Sequence, residues 1–131
     1  MNIFRSKKNH DEIKPTRYYS TKQETEVAKA LNGKRTPNSG ATMFNKADVT
    51  TDNWLIECKT CVKDQKSFSI KKEWIEKNTQ ESCFMGKPYT AISFNFGPNS
   101  ENYYIIDEIT FKELLAYQDK GEQYAEYIML R

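Results

Sequence analysis

The stretch Ala47-Asp48-Val49-Thr50-Thr51-Asp52-Asn53-Trp54-Leu55-Ile56-Glu57-Cys58-Lys59-Thr60-Cys61 decides how this chain is read. Thr51-Asp52-Asn53 is turn chemistry between a short strand over 46–50 and a strong strand over 54–61. In an extended strand, alternate side chains share a face. Trp54, Ile56, Cys58 and Thr60 therefore point one way, and Leu55, Glu57, Lys59 and Cys61 the other. An acid and a base side by side on one face of an otherwise apolar strand need a reason, because burying charge is expensive.

Hairpin pairing brings Asp48, at the end of the first strand, close to Glu57 in the second. Two carboxylates at close range repel each other unless a cation lies between them. Hard oxygen ligands with open positions suit Mg²⁺, or Mn²⁺ in its place, ions that retain waters and bind substrate phosphates. Lys59, on the same face as Glu57, is placed to orient or deprotonate a water, or to neutralise charge in a transition state. Such a set performs metal-assisted hydrolysis of a phosphodiester. Glu57 and Lys59 alone also fit a structural ion pair on a solvated strand face. The hairpin-linked Asp48 and the segment upstream give the catalytic reading its force.

Upstream, Ser20-Thr21-Lys22-Gln23-Glu24 holds two overlapping capping boxes, Ser20 with Gln23 and Thr21 with Glu24. They predict a helix with Val27, Ala28 and Leu31 on its apolar face and Gly33 as its stop. Lys34 to Gly40 is basic and turn-rich, a surface loop. Downstream, Ser67 or Ser69 caps a helix over 70–85, with Ile70, Trp74 and Ile75 inward and Gly86 and Pro88 ending it. Tyr89 to Phe96 and Asn102 to Asp107 form a hairpin across Gly97-Pro98-Asn99-Ser100. Thr110 with Glu113 boxes a short last helix that carries Phe111, Leu114 and Leu115 and ends near Gly121. Residues 122–131 fit either helix or strand. The alternation of helices and strands predicts a small α/β domain over 18–131, preceded by a flexible basic arm from Met1 to Arg17.

A chain of 131 residues has room for one core, and 37% hydrophobic against 29% charged residues suits a folded soluble domain rather than a disordered one. No apolar run approaches the ~20 residues of a membrane helix, and the basic opening segment holds no apolar signal core. Three cysteines cannot all pair within one chain, so free thiols in a reducing cytoplasm are expected. Cys58 and Cys61 project from opposite sides of a strand and cannot converge on one zinc ion, and the single histidine, His10, lies in the arm. The net charge of +2 conceals a split: residues 1–87 carry 17 Lys/Arg against 11 Asp/Glu, and residues 88–131 carry 3 against 7. That polarity fits one phosphate-facing side, on which Lys63, Lys66, Lys71, Lys72 and Lys77 form a general basic surface with Lys72 as a candidate DNA contact.

Asp48 followed by Glu57-Cys58-Lys59, with Glu24 on the preceding helix and an amphipathic helix after it, resembles the PD-(D/E)XK nuclease superfamily. The closer likeness is to small Holliday-junction resolvases of the archaeal and phage type, in which an early helical glutamate leads through a basic Arg-x-x-x-Ser-Gly loop to the acidic hairpin. Glu24, Arg35, Ser39-Gly40, Ala47-Asp48 and Glu57-x-Lys59 stand at those places, over roughly residues 20–107. Ala47 stands where the motif has proline. The resemblance implies a restriction-endonuclease-like fold, a central mixed sheet flanked by helices. It implies Asp48, Glu57 and the Cys58 carbonyl as ligands of Mg²⁺, Lys59 as the catalytic lysine, and Glu24 completing the acidic cluster. Arg35 and Ser39 would grip the DNA backbone. Cutting a symmetric four-way junction in both strands needs two sites, which a homodimer supplies. Two alternatives stay open: another endonuclease of the superfamily, of nicking, repair or restriction type, and a DNA-binding or inhibitory module without turnover.

Overall fold

The computed structural model describes residues 14–36 and 48–130, leaving aside the side chains of Tyr124 and Tyr127. These residues form helix α1 (Thr16–Ala30), strands β1 (Lys34–Arg35), β2 (Val49–Thr50) and β3 (Trp54–Lys59), helix α2 (Lys72–Met85), strands β4 (Tyr89–Phe94) and β5 (Tyr103–Ile105), and helix α3 (Glu108–Met129). The strands lie in one mixed sheet in the order β1-β2-β3-β4-β5. Neighbours are antiparallel except β3 and β4, which run parallel because α2 carries the chain across between them. The α/β class expected from the sequence is therefore present. No helix among the described residues is long and apolar enough to cross a membrane.

Both faces of β3 are used as its alternation dictates. Val27, Val49, Ile56 and Ala91 form the buried cluster between α1 and the sheet, with Ala28, Trp54, Cys58 and Ile106 packed against it. Glu57 and Lys59 project to the other face, where they share a cavity wall with Trp74, Asn78 and Glu81 of α2. Buried Gln23 locks α1 over the end of β3, its Nε2 donating to the Lys59 carbonyl at 3.0 Å and the Ser93 carbonyl at 3.3 Å.

Several helix boundaries differ from the sequence reading, each for a local reason. α1 starts at Thr16 with Pro15 extended at its N-cap, so it takes in Thr16 and Arg17 of the expected arm. Ser20 and Thr21 therefore lie inside the helix, where the Ser20 hydroxyl bonds back to the Thr16 carbonyl instead of capping. The stop is Asn32, not Gly33: Asn32 turns left-handed at φ 54°, and the Gly33 N–H returns to the Ala28 carbonyl at 2.8 Å. Gly33 is needed for proximity, since a Cβ there would stand 2.7 Å from the Thr50 carbonyl oxygen. Lys34 and Arg35, expected in a loop, pair as β1 with Thr50 and Val49. Phe68 stacks on Phe94 at 5.0 Å while Ser67 and Ser69 on either side are exposed, and α2 begins only at Lys72. Ile70 and Ile75, expected inward, are exposed, while Asn78 and Ser82 are buried. Gly86 ends α2 in the left-handed conformation, as expected. Asp107, not Thr110, caps α3: its Oδ1 accepts the Thr110 N–H at 2.7 Å, which also holds its carboxyl below the usual range. α3 runs through Gly121 to Met129, so the last segment is helical.

Candidate active site

The β2–β3 hairpin sets the geometry. Val49 pairs with Ile56 and Thr50 with Leu55, which carries Asp48 to the level of Glu57 and Cys58. Asp48 is fixed at both ends: its backbone carbonyl accepts the Thr36 N–H at 3.0 Å, and its Oδ2 accepts the Cys58 N–H at 2.8 Å. One residue ahead of β2, it thus lies beside the C-terminal end of β3 although ten positions separate it from Cys58.

Lys59 is held on two sides. Its Nζ lies 3.5 Å from Glu57 Oε1 and 4.5 Å from the centre of the Trp74 ring. A cation over an aromatic face is attracted by the ring quadrupole, so α2 aims the lysine that β3 carries. Burial and repulsion from neighbouring carboxylates disfavour the charged form of both acids. Burial, then repulsion from Asp48, pushes Glu57 up to about 7, against the downward pull of Lys59. Burial raises Asp48 to about 6, with Glu24 and Glu81 adding repulsion and the Cys58 N–H and Lys59 opposing it. Burial and the surrounding carboxylates push the Cys58 thiol far up, so it stays protonated and is no nucleophile at neutral pH.

Glu24 does not close a capping box. Its Oε2 accepts from Arg35 Nη2 at 3.0 Å and Nε at 3.3 Å, and it is the more buried partner, 14% exposed against 45%. Helix α1 and strand β1 thus place the two upstream candidates together, beside Asp48. Lys72 stands apart: 88% exposed, it pairs with Glu76 one turn along α2 at 3.6 Å. The α2 lysine that does line the cavity with Glu57 and Lys59 is Lys77. Ser39, Gly40 and Ala47 lie outside the described residues.

Three further participants are not evident from the sequence. Gln23, placed by its spacing in a capping box, is a buried clamp, and Trp74, placed by its spacing in the core, is the seat of Lys59. Glu81 enters the site from α2, its Oε1 buried and without a hydrogen-bond partner among the described residues. The i, i+4 and i+7 spacing of Trp74, Asn78 and Glu81 on α2 is the signal available for that stripe, but only the parallel crossover shows which strand the stripe meets.

Among the described residues, no three His, Cys, Asp or Glu side chains form a ready-made metal cage. The donor chemistry nevertheless fits a hard divalent cation: two adjacent carboxylates, both destabilised as anions, and a buried carboxylate oxygen nearby that lacks a donor. Compared with protein-family models, with characterised proteins and with solved structures, the chain matches none.

Proposed function

We propose that this chain is a metal-dependent structure-specific DNA endonuclease of the PD-(D/E)XK type, with four-way junctions as substrate. The observation that carries the reading is the Asp48–Glu57–Lys59 set, gathered by one hairpin and held by a Cys58 N–H and the Trp74 ring. The finer fold proposed with it is the restriction-endonuclease-like arrangement, supported by the mixed sheet with the acidic hairpin entering a parallel β-α-β unit.

Asp48 and Glu57, with the Cys58 carbonyl, are the residues to hold Mg²⁺ or Mn²⁺, which when bound would neutralise phosphate charge and acidify a water. Lys59 presents its ammonium where charge develops on the phosphate oxygens and orients the attacking water. Trp74 and Glu57 keep that ammonium in place through the reaction. Hydrolysis adds the water oxygen to phosphorus, breaks a P–O bond of the backbone and returns a proton to the leaving oxygen. Arg35, paired with Glu24 and half exposed, is available to exchange that partner for a DNA phosphate, and Lys77 extends the positive edge. For the homodimer, support comes from α3, which exposes Ile109, Phe111, Leu115 and Tyr117 along one helix.

The test is cleavage of a synthetic four-way junction beside linear duplex of the same arms, with Mg²⁺ or with EDTA. Paired metal-dependent cuts near the branch point are expected. Cleavage of linear duplex as readily as the junction would move the reading to another endonuclease. Junction binding without metal-dependent cleavage would make the chain a binding module.

A further inference from the structure

Helix α2 brings a second polar surface to the β3 hairpin. Trp74, Lys77, Asn78 and Glu81 recur at helical spacing and form one stripe. That stripe closes, against Glu57 and Lys59, a cavity of about 30 Å³. The volume is about that of one water, and a buried water is held where two or more polar groups converge.

Two acceptors on the stripe that lines this cavity have no donor among the described residues. Glu81 Oε1 is shielded from solvent and has no hydrogen-bond partner among the described residues. One turn earlier, Asn78 is 4% exposed; its Nδ2 donates to the Ala91 carbonyl at 3.2 Å, while its Oδ1 has no partner among the same residues. A buried acceptor without a donor costs about 1–3 kcal/mol, and although Lys59 and Lys77 both line the cavity, neither donates to Glu81 Oε1 or Asn78 Oδ1; a water in the cavity is the donor that fits. Lys59 is already committed to Glu57 and to the Trp74 ring. Glu81 shares the cavity with Glu57 and repels both Glu57 and Asp48, and the water-sized space between them suits a contact through one water rather than a direct cage. Mg²⁺ tolerates that arrangement because it gives up its waters reluctantly.

We infer that Glu81 is a third carboxylate of this centre, a positioning residue that supports the cation held by Asp48 and Glu57 through a water lodged against Asn78. The inference rests on the reading of Asp48 and Glu57 as metal ligands. It places the charge of Glu81, rather than its shape, at the centre of its role.

Calorimetric titration of Mn²⁺ into the full chain, in the absence of DNA, tests it. Glu81→Gln keeps the shape and removes the charge; Glu81→Asp keeps the charge and shortens the reach. Outer partners of metal ligands typically contribute 10–100-fold in affinity. Glu81→Gln is accordingly expected to weaken Mn²⁺ binding about tenfold, Glu81→Asp to retain more than the Gln variant, and Glu73→Gln, on the exposed first turn of the same helix, to bind as wild type. A packing role gives the opposite order, with Gln tolerated better than Asp, and overturns the inference. Wild-type affinity in Glu81→Gln overturns it too, and if Asp48→Asn abolishes binding in that experiment the metal site itself stands. If wild type and Asp48→Asn alike bind no Mn²⁺, the metal reading falls and this inference with it.

Discussion

Replacing Glu57 by Gln is expected to stabilise the metal-free protein at pH 8 and to leave it nearly unchanged at pH 4. The folded structure holds the Glu57 carboxyl at about 7 instead of 4.5, chiefly by burial and by the neighbouring Asp48. A carboxyl raised on folding binds its proton more tightly in the native state. The penalty is therefore absent below pH 4.5, grows between pH 4.5 and 7, and is complete above 7. At about 1.4 kcal/mol per pH unit, that rise corresponds to a penalty on the order of 3 kcal/mol. The Gln variant escapes it, and the 3.5 Å pairing with Lys59 needs no separate subtraction, because its downward pull is already part of that value. A gain of about 3 kcal/mol follows, which for a domain of this size raises the melting temperature on the order of 10 °C. Thermal unfolding followed by circular dichroism, in EDTA at pH 4 and pH 8, measures it. Mn²⁺ at pH 8 should then raise the wild-type melting temperature and leave the variant's unchanged, since a ligand stabilises only the state that binds it. A variant less stable than wild type at pH 8, or equally stabilised at both pH values, would refute the reasoning.

Asp48→Asn is expected to abolish junction cleavage while leaving DNA affinity within a few-fold of wild type by gel shift, because it removes a ligand of the proposed metal centre and leaves the basic surface intact. Lys59→Met should lower single-turnover cleavage by about 10²-fold or more with Mn²⁺ affinity little changed; parallel loss of DNA binding would make the lysine a plain phosphate contact. Arg35→Ala should weaken binding to all arm sequences alike and reduce the slope of log affinity against log salt by about 0.9 for each phosphate that the arginine neutralises in wild type. Gly33→Ala, whose new Cβ would meet the Thr50 carbonyl oxygen at 2.7 Å, should cost about 1–3 kcal/mol in urea unfolding; unchanged stability would show that α1 can retreat from β2.

What is legible in the sequence is what is local. Alternation along Trp54 to Lys59 predicts the two faces of β3, and they are the faces observed. Thr51-Asp52-Asn53 and Gly97-Pro98-Asn99-Ser100 predict two reversals that the β2–β3 and β4–β5 pairings contain. Helix starts are less legible, since any Ser or Thr can cap and tertiary anchors choose among them. Phe68, seated on Phe94, delays α2, and Pro15 brings α1 forward. Asp107 reads as the end of a strand, yet an aspartate three residues before Thr110 is as good a cap signal as Thr110 itself, and it is the one the fold uses.

The candidate site divides along the same line. Asp48, Glu57 and Lys59 come from one hairpin, so a turn and a period of two suffice to bring them together. Glu24 and Arg35 meet because α1 and β1 are joined by a tight left-handed turn at Asn32, a short-range event as well. Trp74 and Glu81 belong to a helix whose placement depends on β4 returning parallel to β3, and nothing within α2 encodes that return. Apolar spacing alone points to a helix with Ile70 and Ile75 inward. The structure orients α2 so that Asn78 and Ser82 are buried, which exposes Ile75 and turns the Trp74–Glu81 stripe toward the acidic hairpin, while Ile70 lies exposed ahead of the helix. Burying Asn and Ser while exposing Ile runs against hydrophobic partition. Departures of that kind concentrate where a sequence serves a site rather than a core, which is the physical case for assigning the charge on this face of α2 to the candidate centre.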